Sequence, residues 1–192
     1  MTKGRIEAFS DGVLAIIITI MVLELKVPEG FTFASLKPLY PKIISYIVSF
    51  VYVGLYWNNH HHLFQIVRKV NGKVLWSNLN LLFWLSLMPV TTNWIGESHF
   101  ERDPIIAYGV VLIMCSISYN IVEYFVIQIE GEDSVLKKAV KSKTKEYIST
   151  ALYFMGIGLS FINPYISLLL FGTVAIMWLI PDRRIEKELR NQ

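Results

Sequence analysis

The chain has 192 residues, of which 54% are hydrophobic and only 17% are charged, and its formal net charge is +3. Soluble domains usually carry about a quarter charged residues. This composition excludes an ordinary soluble domain and predicts a single integral membrane domain over residues 1–192. The single cysteine, Cys115, excludes a disulfide within the chain.

Stretches with few or no charges divide the chain into six candidate membrane crossings. A helix needs about 20 apolar residues to cross a hydrocarbon core of about 30 Å. The uncharged stretch from Tyr147 to Ile180 is too long for one crossing, and the turn signal Asn163-Pro164 divides it into two. The predicted helices cover residues 4–26, 40–66, 74–96, 104–130, 144–162 and 165–181. The predicted fold is an all-α membrane protein with six transmembrane helices per subunit.

Basic residues are concentrated on one side of these crossings. If the amino terminus is cytoplasmic, all of the 18 Lys and Arg residues lie in cytoplasmic segments except Lys26, Lys37, Lys42 and Arg102. This distribution follows the positive-inside rule. It predicts a multi-pass protein of the cell membrane with both termini in the cytoplasm.

The first helix begins with polar and charged residues and continues as an apolar stripe. Its fully uncharged core, residues 12–23, measures only about 18 Å at 1.5 Å per residue. Because so short a core cannot span lipid unaided, we expect this helix to be central in the protein. The stripe consists of Phe9, Val13, Ile16, Ile20 and Leu23. Its spacing places it on one side of a helix, and this pattern is compatible with packing against helices, packing against lipid, or a pore wall.

The second helix ends with Trp57 and three adjacent histidines, His60 to His62. Neighbouring residues on a helix point about 100° apart, so three in a row cannot all bind one ion. No Cys, Asp or Glu lies near them in sequence, and we predict neither a metal site nor a cofactor. The predicted topology places this segment at the same membrane surface as Ser10 and Asp11. A histidine or the Trp57 indole is therefore expected to donate a hydrogen bond to Asp11.

The pattern Arg5-x-x-x-Phe9-Ser10-Asp11 resembles the signature of the transmembrane protein 175 family, whose members are potassium channels of endosomes and lysosomes with bacterial and archaeal relatives. The resemblance extends over residues 15–28 and 57–64 and over Asn78 and Pro89. It implies a homotetramer in a lipid bilayer, with the first helix lining a central pore. Potassium is the implied permeant ion, with other monovalent cations as further candidates.

The resemblance also implies roles for individual residues. The positions that form the pore constriction in the family correspond here to Ile16, Ile20 and Leu23. The position that contributes to cation selectivity corresponds to Thr19. A structural polar network is matched by Arg5, Phe9, Ser10, Asp11, Trp57, His60, His61 and Asn78. Which of the adjacent histidines joins this network stays open.

Elementary physics describes what such a constriction would do. A ring of aliphatic side chains forms a dry hydrophobic gate, because an ion must shed water there without gaining a ligand. A carbonyl filter is not expected, since the nearest match, residues 52–56, lacks the Thr-Val-Gly-Tyr-Gly order and lies inside a helical run. Cation preference must then come from flanking groups, among which Asp11, Glu24 and Glu29 are candidates.

Other classes of function are less well supported. A secondary transporter of a small cation or solute is the alternative, but its usual mark is a discontinuous helix pair in matching halves, and residues 1–96 are not clearly repeated in 97–192. An enzyme is not expected, because no nucleophile or metal-binding carboxylate accompanies the histidines. Nucleic-acid binding is not expected, because the basic residues follow the membrane topology.

Overall fold

The computed structural model describes residues 2–131 and 143–179, and all regular structure within these ranges is helical. The elements are α1 (Lys3–Leu23), a 3₁₀ helix (Phe33–Leu39), α2 (Tyr40–Ile66), α3 (Gly72–Leu85), α4 (Met88–Glu97), α5 (Arg102–Glu130), α6 (Thr144–Leu159) and α7 (Pro164–Leu179). This confirms the all-α prediction, and each of the six predicted crossings coincides with helical structure. The basic segments 132–142 and 180–192, which were assigned to the cytoplasmic side, lie outside the described residues.

Length and composition suit these helices to a bilayer. Within the described residues, four helical stretches are long and apolar enough to cross it: Lys3–Leu23, Phe33–Ile66, Gly72–Glu97 and Arg102–Glu130. Pro164–Leu179 is a shorter apolar helix. These stretches correspond to the first four predicted crossings and the sixth.

The third predicted crossing, residues 74–96, is confirmed as one stretch long enough to span a membrane, Gly72–Glu97, and the structure adds an interruption at its middle. Helix α3 ends where the Ser86 amide donates to the Leu82 carbonyl at 2.9 Å and the Leu87 amide to the Trp84 carbonyl at 3.2 Å. Pro89 lies in the first turn of α4. Because proline has no amide hydrogen and its ring clashes with the carbonyl four residues earlier, the helix restarts rather than continues.

The predicted hairpin between the last two crossings is confirmed. Helix α6 ends at Leu159 and α7 begins at Pro164. The Asn163 side chain accepts a hydrogen bond from the Tyr165 amide at 2.9 Å, which closes the turn. The two helices then pack closely, because a side chain added at Gly156 would overlap the Phe171 ring.

Helix α1 packs against the helices that follow it in the first half of the chain. Helix α1 contacts α2, α3 and α4, whereas α5 contacts α3, α4 and α6, and α6 and α7 pack together. One face of α1 is therefore held by the subunit, and its remaining faces are free to meet other molecules.

Candidate functional site

Helix α1 presents two faces with different surroundings. The face turned towards α2, α3 and α4 is buried and carries Ile6, Ser10, Leu14, Ile17 and Met21. The predicted constriction residues lie on another face, where Ile16 is 59% exposed, Ile20 43% and Leu23 74%. The aliphatic stripe is thus the part of α1 that the subunit's own helices leave uncovered.

Thr19, the predicted selectivity residue, is also exposed on α1. Its hydroxyl donates to the carbonyl of Ala15 at 2.8 Å, one turn earlier. A hydroxyl oxygen keeps its acceptor lone pairs when its hydrogen is donated. The side chain therefore offers an oxygen, rather than a hydrogen, to anything that lies beside this face.

A buried hydrogen-bonded chain connects α1 to α3 and α2. The Asn78 amide nitrogen Nδ2 donates to Ser10 Oγ at 3.0 Å, and the amide oxygen Oδ1 lies 2.8 Å from His60 Nε2. Because that oxygen can only accept, His60 Nε2 carries the hydrogen and donates it. All three side chains are at most 3% exposed. Each polar atom of this chain would cost about 1–3 kcal/mol if it were left unpaired.

A second, more exposed pair lies beside the buried chain. The Trp57 indole nitrogen donates to Asp11 Oδ1 at 3.0 Å. The indole ring stacks on His61 with 5.9 Å between ring centroids, and His61 Nε2 lies 2.8 Å from Gln65 Nε2. Of the adjacent histidines, His60 therefore meets the buried chain, whereas His61 supports the Trp57 ring.

Two residues of the predicted network stay outside these hydrogen bonds in the single subunit. Arg5 is exposed, and the described part of the chain offers its guanidinium no ion-pair or hydrogen-bond partner. The Phe9 ring is 52% exposed on the open side of α1. Asp11 is therefore paired with Trp57 and not with Arg5.

Sequence reasoning missed a second buried polar cluster in the opposite half of the bundle. Thr92 Oγ1 donates to Ser49 Oγ at 2.7 Å, and Ser49 Oγ lies 3.0 Å from the Tyr108 hydroxyl. These residues are isolated hydroxyl side chains within apolar runs, and such residues carry no spacing signal. The cluster joins α2, α4 and α5 behind the buried face of α1.

The histidine-rich end of α2 is not arranged as a metal centre. Among residues 2–131 and 143–179, no group of three or more His, Cys, Asp or Glu side chains is placed to hold a metal ion. The polar residues instead bond to one another. The arrangement as a whole is a helix with an uncovered aliphatic face and a hydrogen-bonded support behind it.

Comparison with known proteins yields consistent matches. Residues 5–89 match the family described as endosomal/lysosomal potassium channel TMEM175. A potassium channel of Chryseobacterium sp. (strain P1-3) is 64% identical over 191 residues, covering 100% of both chains. The human endosomal/lysosomal proton channel TMEM175 is 33% identical over 131 residues, which cover 62% of this chain and 26% of the human protein.

A solved structure shows the same fold. The crystal structure of a lysosomal potassium-selective channel TMEM175 homologue from Chamaesiphon minutus matches with a TM-score of 0.81 and 28% sequence identity. The match covers 94% of this chain and 97% of that one. The similarity therefore extends over nearly the whole helical bundle, beyond the residues matched by the family.

Proposed function

The chain belongs to the TMEM175 family of endosomal/lysosomal potassium channels, and on that premise we propose that it is a potassium-permeable cation channel of the cell membrane. The family is a channel family, which confirms that the chain is not an enzyme. Its apolar helices and this family make it a membrane protein. The relatives named as potassium channels support potassium as the permeant ion.

The proposed pore is formed by α1 from four copies of the chain. The observation that carries this proposal is the uncovered aliphatic face of α1, which exposes Ile16, Ile20 and Leu23. Lipid is a poor alternative neighbour for the whole helix, because Arg5 and Asp11 are exposed near its amino-terminal end and charged groups are costly in hydrocarbon. Around a symmetry axis the three aliphatic layers form a dry constriction that opens by wetting.

Cation preference is proposed to come from side chains rather than backbone carbonyls. Residues 52–56, the nearest match to a carbonyl filter, lie inside α2, where their carbonyls accept helical hydrogen bonds. Thr19 is exposed on α1 between Ile16 and Ile20 in sequence, and its hydroxyl oxygen, which donates to the Ala15 carbonyl, keeps its acceptor lone pairs. A ring of such oxygens offers partial replacement of the water around a cation.

The polar network is proposed to hold α1 in position. The buried chain through Asn78 fixes the side of α1 that carries Ser10, and the Trp57–Asp11 pair holds the next residue of the same turn. A pore helix anchored at one end keeps its aliphatic layers in register. Arg5 and Phe9, which are uncovered in the single subunit, are proposed to complete the network in the assembly.

The remaining architecture is proposed as follows. Residues 1–192 form one six-helix channel domain, and both termini are cytoplasmic. Four copies of it assemble as a homotetramer. The bias of Lys and Arg towards one set of loops supports this orientation.

Two polar substitutions in the stripe test the pore. Purified protein in liposomes with a potassium gradient should show raised or unregulated flux for Ile16→Asn and Leu23→Asn, because a polar ring wets the constriction. Ile176→Asn on α7 is the matched control, since Ile176 is 65% exposed and lies outside the proposed pore. Unchanged flux in both stripe variants, or equal changes in the control, would contradict the assignment. A mass measurement of the intact assembly tests the tetramer.

A further inference from the structure

A shallow, open groove of about 750 Å³ lies on the surface between α3 and α5, away from the proposed pore helix. Trp76 and Asn80 line it from α3, and Ile121 and Phe125 line it from α5. At one end, Lys73 places its ammonium nitrogen 5.8 Å from the centroid of the Phe125 ring. The groove is therefore mainly apolar along its length and cationic at its mouth.

The depth of the groove matches one leaflet of a bilayer. Both helices belong to stretches suited to crossing it, Gly72–Glu97 and Arg102–Glu130. At 1.5 Å per residue, Asn80 lies about 12 Å from the start of α3, and Ile121 about 14 Å from the end of α5. Half of a hydrocarbon core measures about 15 Å. A fatty acyl chain in that leaflet would thus run alongside the apolar walls.

Trp76 has the position of an interfacial anchor. It lies one turn inside the start of α3 and is 76% exposed. Tryptophan is enriched where hydrocarbon meets headgroups, because its ring is apolar and its N–H is polar. The mouth of the groove is thereby placed at headgroup level.

Lys73 lines the mouth of the groove, and two further basic residues precede it in the loop between α2 and α3. Arg68 and Lys69 are exposed in the loop between α2 and α3, close in sequence to Lys73. The backbone amides of Arg68 and Lys69 both donate to Glu130 Oε1, at 2.6 and 3.3 Å, which holds the loop over the end of α5. Oxygen Oε1 of Glu130 thus accepts from backbone amides of this loop, and the side chains of Arg68, Lys69 and Lys73 are all exposed.

We propose that this groove binds an anionic phospholipid, with its phosphate at Lys73, Arg68 and Lys69 and one acyl chain beside Trp76 and Phe125. Basic pockets between transmembrane helices recognise anionic headgroups in this way. Phospholipids of the surrounding bilayer present a phosphate and an apolar chain at the required depths, whereas a neighbouring protein would have to reproduce both. The site goes beyond the proposed channel activity; it uses the proposed orientation only to identify the leaflet, which is the cytoplasmic one.

Lipid retention on the purified full-length channel tests whether the basic residues bind an anionic headgroup. Native mass spectrometry is performed with phosphatidylglycerol and with phosphatidylcholine of the same acyl chains. We expect preferential retention of phosphatidylglycerol, reduced about tenfold in the triple variant Arg68→Gln/Lys69→Gln/Lys73→Gln, because each basic residue contributes to headgroup attraction. The matched control Lys26→Gln/Lys37→Gln removes cations from the opposite end of the bundle and should retain the lipid as wild type does.

A variant that fills the groove tests whether an acyl chain lies there, and it leaves every basic side chain in place. Ile121→Trp should reduce phosphatidylglycerol retention, since the larger side chain occupies the apolar wall. Equal retention by the triple variant and wild type, equal loss in the control pair, or no effect of Ile121→Trp would each overturn the site. Absence of bound lipid in the wild type would assign the groove to another occupant, such as a second copy of the chain. Potassium flux is measured on the same preparations. Flux without bound lipid would contradict the lipid site alone, whereas absence of flux would contradict the channel proposal.

Discussion

Replacing Ser10 with alanine should destabilise the packing of α1 through one identifiable hydrogen bond. Ser10 is fully buried, and its Oγ accepts from Asn78 Nδ2 at 3.0 Å. Alanine removes the acceptor and leaves the Asn78 amide donor buried without this partner, which costs about 1–3 kcal/mol. Since about 1.4 kcal/mol is a factor of ten in an equilibrium constant, the unfolding equilibrium should shift by roughly 5- to 150-fold.

Trp57→Phe provides the matched comparison in the same network. It removes the indole N–H that Asp11 accepts at 3.0 Å but keeps an aromatic ring beside His61. Trp57 is 46% exposed, so water can replace the lost donor at Asp11. The expected loss is about 0.5–1.5 kcal/mol, towards the lower end of that range.

Reversible unfolding of the purified protein in detergent, followed by helical circular dichroism, measures both losses. Ser10→Ala should lower the free energy of unfolding more than Trp57→Phe does. In a double-mutant cycle, Ser10→Ala and Asn78→Ala should couple by more than about 0.5 kcal/mol because the two side chains are in contact. A Ser10→Ala loss no larger than that of Trp57→Phe, or a coupling of zero, would refute the reasoning.

Two further predictions concern selectivity and the ion pair between the buried Glu123 and the partly exposed Lys143. Thr19→Val, which keeps the shape but removes the oxygen, should lower potassium-over-sodium preference in reversal-potential measurements while leaving the assembly mass unchanged; an unchanged preference would exclude Thr19 as a selectivity residue. Lys143→Met should lower the free energy of unfolding, because Glu123 is 5% exposed and pairs with Lys143 Nζ at 3.1 Å. Adding Glu123→Gln should restore part of that loss, and failure to do so would show that the pair is not the cause.

Much of the architecture follows from hydropathy along the chain. The start and end of α2, and the hairpin at Asn163-Pro164, are local consequences of apolar run length and turn chemistry. The break between α3 and α4 is local too, since Pro89 causes it, but an uncharged run across residues 74–96 conceals it. The proline effect outweighs hydropathy there because the backbone hydrogen bond is removed whatever the side chains are.

The pairs within the candidate site depend on how helices rotate against one another. Sequence reasoning placed Ser10, Asp11 and Trp57 at one membrane surface, which requires only topology. It could not decide that Asn78 bonds Ser10 and His60 while Trp57 bonds Asp11, because these partners are separated by 18 to 68 residues. A rotation of 100° about a helix axis, which is one residue, would exchange the partners.

The sequence by itself determined a membrane-embedded helical protein, its helix positions and its family signature, because these depend on composition, run length and short motifs. Only the tertiary structure decided which face of α1 the subunit covers, which histidine enters the buried chain, and that α3 and α5 form an open groove with Lys73 at its mouth. The physical reason is that hydropathy acts residue by residue along the chain, whereas burial and hydrogen bonding depend on side-chain contacts between helices distant in sequence.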